Sequence, residues 1–591
     1  VVAPEPGWIR ALALVSAGAT TGLWCVQVAR SLRTGITDFD SINYHLTHSA
    51  AFVQSGSIGG AHSAMADPFH AFHPMGQSLL GAGTMALAGT DLAVPLLHLG
   101  WLLLAFAAAW ALGQPRGLGW SCVAVASVAV AVPAVAAFSG SATTDQASIA
   151  LALAAAALLS AVRERPELVA VAGLAAGLAV GTKLSAVPVI AVLVLVVLLT
   201  GALPRRRLWL LGAAATLTGG AWYVRNVLIA GSPLPAMDLP LLRRTPTPVF
   251  DAVDDTLLDA TRALGLSEVA RSLTRALTAP GLALVAIILT IAAIAVLRGG
   301  PTRRLLGLAG LAGVAAYVVT PLSGTTSVPG VAPGFFVMAN ARYAMPAVAL
   351  AGIAAVLMLW PPWRWLLVTA SAGVVGLAVL EAARPEADAV AILFGPALGL
   401  GPAAWAALGA TAAVVGAEVH RRSALPSLAR VPRIVGVGLV VAVGTLGATL
   451  AADRYDRTRY AEPEGSVRYA RSGPVLAWIE AQPPLEIAAV GLADLYPLAG
   501  SDARHAVTYL GVRGPWSDLR AAATCAELRD AVNAMQPDAI VADIAGVESV
   551  VGVQRAVEWL TDAPNLRLVA QEASRRVFAV DGATSADGCP D

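Results

Sequence analysis

The sequence has little charge. Only 13% of its 591 residues are charged, against about 25% in soluble domains, and its mean hydropathy is +0.70. An ordinary cytosolic enzyme is therefore excluded. Acidic and basic residues nearly balance and leave a formal net charge of +1, so a nucleic-acid-binding surface is excluded as the main feature.

Cysteine is scarce as well, and no CxxC pair or zinc-like His/Cys spacing occurs. A Gly-rich phosphate loop is also missing. Cys25 and Cys122 lie in apolar runs, whereas Cys525 and Cys589 lie in the polar C-terminal part. We predict a disulfide between the latter two, which would close a loop of about 64 residues and stabilise this part by roughly 4 kcal/mol in the chain-entropy model.

The charge that is present is unevenly distributed. Residues 454–591 hold 32 of the 77 charged residues, although they make up less than a quarter of the chain. We therefore predict a transmembrane domain over residues 1–453 and a soluble α/β domain over residues 454–591.

The soluble domain is predicted to be a small α/β unit. Its strand-like segments are 485–492, 538–544 and 575–581, and its helical segments are 517–536 and 553–562. It contains no recognisable catalytic motif. We expect it to recognise an acceptor or to support the membrane domain rather than to carry out the chemistry.

Thirteen apolar runs approach the length of about 20 residues that a membrane-spanning helix needs. They lie at 8–29, 92–113, 118–139, 146–162, 168–182, 184–203, 208–230, 281–297, 305–322, 343–360, 365–383, 389–417 and 434–452. If the N-terminus is cytoplasmic, the inner segments hold 15 arginines against four acidic residues, which is the positive-inside pattern. The chain is thus predicted to be a multi-pass plasma-membrane protein whose C-terminal domain is extracytoplasmic.

Three segments affect this count. The stretch from Met75 to Gly89 is predicted to be a helix at the outer interface, because counting it as a span would move every later arginine cluster outside. The run 389–417 contains glycines and prolines and is predicted to be one long span or a broken, re-entrant one. The run beginning at Trp8 is too long for a signal peptide and indicates a retained first span.

Acidic residues and histidines are concentrated in the first outer loop, from Arg33 to Gly76. Six of the eight histidines fall within residues 45–98. The candidate site residues of this loop are Asp38, Asp40, His45, His62 and His73. The acids are candidates for catalysis, and the histidines for binding an acceptor or a metal. A solvated loop with an interfacial helix is the alternative interpretation. After Asp40 the apolar residues Ile42, Leu46, Ala50 and Val53 share one helical face, which we expect to lie along the membrane surface.

Four further polar residues lie at the predicted outer ends of spans. Asp145 opens an apolar run, either as a helix cap or as a ligand for a hydroxyl or a metal. Lys183 is the only lysine in the chain and is either a functional cation or a snorkelling anchor. Together with Arg225 and Arg342 it could clamp an anionic lipid headgroup such as a phosphate.

Five segments together resemble the GT-C superfamily of membrane glycosyltransferases, which includes protein O-mannosyltransferases and aminoarabinose transferases. They are DFDSINYHLTHSAAFVQSGSI, TTDQASIALALAAAALL, GLAVGTKLSAVPVI, WYVRNVLIAGSPL and ARYAMPAVALAG. They occur in the order and the topological positions of that family, over roughly residues 8–360. The resemblance implies a polytopic helical GT-C-like fold with about 13 spans and an outer α/β domain.

The resemblance also implies a reaction. A sugar is taken from a polyprenyl-phosphate donor and transferred, usually with inversion, to a glycan, lipid or protein acceptor at the outer face. The family's general base matches Asp40, with Asp38 as the close alternative, and its second-loop acid matches Asp145. The family's acidic pair is not reproduced, because Phe39 separates the two acids. No cofactor is required by this reaction, with a divalent cation left open.

Two other classes remain as alternatives. A secondary transporter would usually show inverted repeats and polar residues near the bilayer midplane, and we find no repeat. A polysaccharide polymerase or ligase of the O-antigen type would use the same lipid carriers, and the arginine-rich loop 231–280 keeps that alternative open. The Arg-rich, Ala/Val-rich composition is typical of a high-GC bacterium, for which mannose and arabinose are candidate sugars.

Overall fold

The structure is a computed structural model, and it is mostly helical. It describes residues 5–59, 70–201, 203–235, 256–320, 334–382, 455, 458–461, 473–492, 494–513, 519–520, 522–543 and 558–581.

Most helices of the membrane part follow the apolar runs of the sequence. In chain order they are α1 Gly7–Thr34, α2 Leu46–Ser55, α3 Gly76–Ala88, α4 Leu97–Gly113, α5 Gly119–Ala131, α6 Pro133–Ala136, α7 Asp145–Ala161, α8 Val169–Thr182, α9 Val187–Leu199, α10 Arg205–Ala215, α11 Ala221–Ala230, α12 Leu257–Leu264, α13 Leu266–Leu277, α14 Ala279–Arg298, α15 Pro301–Val319, α16 Phe335–Asn340, α17 Met345–Met358 and α18 Pro361–Ala382. A π-helical stretch Thr216–Gly220 joins α10 to α11.

Of the thirteen predicted spans, eleven lie wholly or largely on described residues, and each of these contains a helix. Six helical stretches in the part of the chain that the structure describes are long and apolar enough to cross a membrane, and four more are shorter and apolar. The predicted span 118–139 is divided, because Pro133 interrupts the helix and starts α6. The predicted spans 389–417 and 434–452 lie outside the described residues, so the number 13 stays a prediction.

Helix α17 forms the centre of the bundle. Almost all of its residues are buried, and it packs closely on α15 because small residues face each other there. A Cβ atom at Gly310 would lie 2.8 Å from the Cβ of Ala351, and one at Gly313 would lie 2.6 Å from the Cβ of Ala347. Glycine is therefore needed at both positions for the observed helix separation. This packing fixes the N-terminal end of α17, next to which part of the site lies.

The C-terminal part contains a five-stranded sheet flanked by helices. The strands of the C-terminal part are β1 Glu486–Val490, β2 Ala506–Tyr509, β3 Val512–Arg513, β4 Leu519–Arg520, β5 Ala539–Asp543, β6 Leu566–Glu572 and β7 Arg575–Val580. Of these, β3 and β4 form a separate antiparallel pair. The helices of this part are α19 Pro474–Glu480, α20 Tyr496–Ala499 and α21 Cys525–Met535. The sheet order is β2-β1-β5-β7-β6. The first three strands of that order are parallel, and the remaining pairs are antiparallel.

The three strands predicted from the sequence are confirmed as β1, β5 and β7. The helix predicted over 517–536 begins only at Cys525, because residues 519–520 pair with β3 instead. Within the predicted helix 553–562, residues 558–562 are helical. The predicted domain boundary at 453/454 lies outside the described residues.

The structure tests the predicted disulfide at one of its two cysteines. Cys525 is disulfide-bonded, whereas Cys25 and Cys122 are free. Cys589 lies outside the described residues, so its pairing with Cys525 stays a prediction.

The apolar face of α2 and of the turn before it packs against the C-terminal unit. Ile42, Leu46 and Ala50 are buried in one cluster with Ile487 and Tyr496. The expectation that this face lies along the membrane surface is therefore wrong. Helical spacing of apolar residues predicts that one helix face is buried, but it does not distinguish burial against lipid from burial against protein.

Candidate functional site

Asp38 and Asp40, the two acids of the first loop, follow the end of α1. The helix stops at Gly35, which adopts φ +87°, and the chain then reaches a π-helical turn, Ser41–His45. Asp38 Oδ1 accepts a hydrogen bond from the Ser41 amide at 3.0 Å. The Ser41 hydroxyl accepts a hydrogen bond from the Ala142 amide at 2.8 Å, which ties this loop to the segment before α7.

Three other elements contribute charged side chains at their ends. Asp145 is the first residue of α7, and Lys183 directly follows α8. Arg342 lies in the 3₁₀ turn Ala341–Ala344, between α16 and α17. The helices thus place an acid and two cations at the same level of the bundle.

These residues form one ionic network. The Lys183 ammonium donates to Asp145 Oδ1 at 2.7 Å. Arg342 donates through Nη2 to Asp40 Oδ2, and its Nε lies 3.3 Å from Asp145 Oδ2. Asp145 therefore lies between the two cations, and Asp40 contacts the second of them.

The carboxylates differ in their access to solvent. The Asp145 side chain is 2% exposed, whereas the Asp40 side chain is 21% exposed. Asp38 is buried, and this burial together with the nearby charge of Asp40 raises its pKa to about 7. Asp40 is the acid of this set that an incoming molecule can reach most easily.

Aromatic rings line the two cations. The Lys183 ammonium lies 4.2 Å from the centroid of the Tyr343 ring. The guanidinium carbon of Arg342 lies 4.1 Å from the Phe138 ring centroid and 5.4 Å from that of Tyr343. Such cation–π contacts attract both side chains and help to hold them in a partly desolvated site.

The whole chain can be compared with solved structures. Its structure is similar to that of apo ArnT from Cupriavidus metallidurans, an aminoarabinose transferase, with a TM-score of 0.51 and 16% sequence identity. The similarity covers 96% of this chain and 97% of that chain. The chain therefore shares the overall fold of this ArnT.

Two further solved structures show a weaker similarity to this chain. ArnT from Cupriavidus metallidurans bound to undecaprenyl phosphate gives a TM-score of 0.46 at 18% identity, over 99% of this chain and 98% of that chain. The oligosaccharyltransferase from Archaeoglobus fulgidus, in its apo form, gives 0.42 at 11% identity, over 91% and 70%. No protein-family model matches the chain, and no curated protein matches it.

Within this fold, Arg225 lies apart from the ionic network. Its Nη2 donates to the Ala71 carbonyl and, at 3.1 Å, to Asn226 Oδ1. Its guanidinium carbon lies 5.3 Å from the Trp222 ring centroid. The structure therefore shows Arg225 bound to the segment that leads into α3, and shows no contact between its side chain and Lys183 or Arg342.

The predicted histidines lie beside the network. His45 Nδ1 is 3.3 Å from the Ser78 hydroxyl, and burial lowers its pKa well below the usual value, as does the charge of Lys183. His73 packs edge-on to His70 at 5.4 Å between ring centroids, and burial lowers its pKa as well. Both imidazoles are therefore neutral near pH 7. His62 lies outside the described residues.

The acids and histidines of the first loop are also candidate metal ligands. Among the described residues, no group of three or more His, Cys, Asp or Glu side chains could hold a metal ion. His62, another candidate ligand, lies outside the described residues, so the binding of a divalent cation stays a prediction.

Sequence reasoning missed the aromatic side chains of the site. Tyr343 directly follows Arg342 in the motif ARYAMP, so a signal was present in a segment already singled out. Tyr44 lies in the first-loop motif and stacks on His70 at 4.1 Å between centroids. Both are tyrosines, and a sequence search directed at acids, lysine, arginine and histidine passes over them.

Proposed function

We propose that this protein is a glycosyltransferase that moves a sugar from a polyprenyl-phosphate donor to a hydroxyl acceptor. The observation that carries the proposal is the ionic network. Two cations at the ends of apolar helices lie beside a carboxylate that remains partly accessible. Such a set matches a lipid phosphate on one side and an acceptor hydroxyl on the other.

Lys183 and Arg342 are assigned to the donor phosphate. Both are partly or fully withdrawn from water, with side-chain exposures of 15% and 5%, so a bound phosphate would interact with them more strongly than at a hydrated surface. Asp145 holds both cations in place and is assigned that role. Arg225 is assigned to the loop that borders the donor, because it contacts the Ala71 carbonyl.

Asp40 is assigned as the general base. Asp38 is buried and is held by the Ser41 amide, whereas Asp40 has an accessible carboxylate. In the reaction, Asp40 accepts the proton of the acceptor hydroxyl while the acceptor oxygen bonds to the anomeric carbon. The bond from that carbon to the phosphate oxygen breaks, and the polyprenyl phosphate leaves with its negative charge beside Lys183 and Arg342.

Arg342 links these two functions. In the structure Arg342 donates to Asp40 Oδ2, so this oxygen is occupied by the guanidinium rather than by an acceptor hydroxyl. A donor phosphate competes with Asp40 for the same guanidinium. Donor binding would therefore release the base at the moment when the sugar is in place.

We propose the outer face of the plasma membrane as the location of this site, on the basis of the arginine distribution. The exposed Ser55 and Arg163 allow a direct test, since they lie on opposite predicted sides. A cysteine at position 55 should react with a membrane-impermeant thiol reagent in intact cells, and one at position 163 only after lysis. The reverse pattern would overturn the orientation. The label on the parent protein, which has Cys25 and Cys122, is the control.

The reaction itself is tested with purified protein in proteoliposomes. Donors carrying a radiolabelled mannose or arabinose on decaprenyl or undecaprenyl phosphate are supplied with a membrane extract as acceptor. A glycosyltransferase releases polyprenyl phosphate and labels the acceptor with one sugar per donor. A polymerase would instead extend a lipid-linked glycan, and a transporter would move label across the membrane with no bond broken; either result would refute the proposal.

A further inference from the structure

A buried polar cluster joins the membrane part to the C-terminal part. Asp91, just before α4, is fully buried. Its carboxylate accepts hydrogen bonds from Tyr455 at 2.9 Å, from Tyr496 at 3.0 Å and from Arg459 at 3.1 Å and 2.9 Å. All of these donors come from the C-terminal part. A carboxylate with this many donors anchors their positions firmly.

The residue next to this cluster reaches the catalytic loop. The Tyr460 hydroxyl donates to the Ile36 carbonyl at 3.0 Å, and the Tyr460 amide donates to the Thr34 carbonyl at 2.8 Å. Ile36 is only four residues before Asp40. Tyr460 is thus bonded to the backbone on both sides of Gly35, where the chain leaves α1.

The geometry around Tyr460 is specific. A Cβ atom at Gly35 would lie 2.6 Å from the Tyr460 ring, so this glycine lets the ring approach the backbone. Tyr460 itself has φ +52°, a left-handed conformation that is uncommon for a bulky residue. The Arg459 guanidinium carbon lies 4.3 Å from the Tyr460 ring centroid and links it to the Asp91 cluster. Such a conformation persists where the surrounding contacts over-determine it.

The loop is also held beyond Asp40. Gln54, near the end of α2, donates to the carbonyls of Ala503 and His505 at 2.8 Å and 2.7 Å. The segment that carries Asp40 is therefore bonded to the C-terminal part before and after the acid. On the other side, Arg342 contacts Asp40 itself.

We infer that Tyr460 is a positioning residue, through which the C-terminal part sets the place of Asp40 relative to Lys183 and Arg342. This inference rests on the proposed function of Asp40 as the base. It gives the C-terminal part a role in the chemistry without any reacting group of its own. Misplacing a reacting group by about 1 Å can cost on the order of 10²-fold in rate.

The test is Tyr460→Phe in the full-length protein, which removes the hydroxyl bond to Ile36 and keeps the ring. We expect kcat to fall about tenfold, with unchanged donor affinity, because the cations are not moved. Hydrogen exchange, read by mass spectrometry, should speed up in residues 35–42. The matched control is Tyr496→Phe, which removes a hydrogen bond to Asp91 but no hydrogen bond to the loop. This variant should leave the hydrogen exchange of the loop and kcat close to wild type.

The outcomes separate this inference from the proposed function. If Tyr460→Phe leaves both loop exchange and kcat unchanged, or speeds up exchange with no loss of kcat, Tyr460 is not a positioning residue. Equal losses in Tyr460→Phe and Tyr496→Phe would indicate a general stabilising role and would also overturn it. If the wild type transfers no sugar, the proposed function fails and the inference fails with it. Hydrogen exchange in the loop would then measure only how firmly Tyr460 holds the backbone at Ile36.

Discussion

The Asp40→Asn variant is expected to lose roughly 10² to 10⁴ in kcat, the range typical of general acid–base catalysis, and still to bind donor. Asparagine keeps the size of aspartate and can accept a hydrogen bond from Arg342, which donates to Asp40 in the structure, but it has no basicity. The measurement is steady-state sugar transfer in proteoliposomes, with donor affinity measured separately by native mass spectrometry.

Asp38→Asn is the matched control, because it makes the same chemical change two residues away. Asp38 is buried and accepts the Ser41 amide, and an asparagine carbonyl can accept the same bond, so turnover should change much less. A dead Asp38→Asn with a nearly normal Asp40→Asn would show that the base was assigned to the wrong acid. If both variants remain active, the proposed mechanism fails.

The Lys183→Met variant is expected to weaken donor binding by about 10- to 150-fold, since a hydrogen bond to a charged group is worth about 1.5 to 3 kcal/mol. Methionine retains the apolar stem and removes the ammonium that pairs with Asp145. Donor affinity is measured by titrating polyprenyl phosphate into detergent-solubilised protein and reading the bound fraction by native mass spectrometry.

Removing Lys183 also leaves Asp145 with fewer partners, so the effect on the fold must be separated from the effect on binding. Lys183→Arg keeps the charge and should restore most of the donor affinity. The double variant Lys183→Met with Asp145→Asn removes both members of the pair and should fold normally while still binding poorly. A donor affinity equal to that of the wild type in Lys183→Met would return this lysine to the role of a helix anchor.

Much of the fold could be predicted because membrane helices have a strong apolar signal. The run at 281–297 lies within α14, and residues 365–382 of the run at 365–383 lie within α18. This agreement is expected because a spanning helix must satisfy its own backbone and cover itself with apolar side chains. The exact ends were less predictable. Pro133 ended α5 early, and the helix predicted from 517 began only at Cys525, because strand pairing overrode local propensity at residues 519–520.

The site could be predicted in part, for a different reason. Asp40, Asp145, Lys183 and Arg342 stood out because charge is rare at the ends of apolar helices, and the structure brings these four together. The pairing of Asp145 with both cations could not be predicted, since three helices must first be packed. Arg225 had the same sequence signal, yet its side chain contacts the Ala71 carbonyl instead.

The contact between the C-terminal part and the first loop was beyond sequence reasoning. The apolar face with Ile42 and Leu46 was predicted to lie against the membrane surface, whereas it packs against the C-terminal part. Tyr460 and Asp91 are 369 positions apart in the chain, and neither belongs to a catalytic motif. Only the fold shows that the buried carboxylate of Asp91 organises the segment which holds the loop.

The most direct measurement of the central claim is an experimental structure of the protein with polyprenyl phosphate bound. The account predicts phosphate density within hydrogen-bond distance of Lys183 and Arg342, with Arg342 withdrawn from Asp40 and the Asp40 carboxylate facing the open side of the site. A lipid phosphate bound elsewhere, or bound while Arg342 remains paired with Asp40, would contradict the claim that one ionic network binds the donor and releases the base.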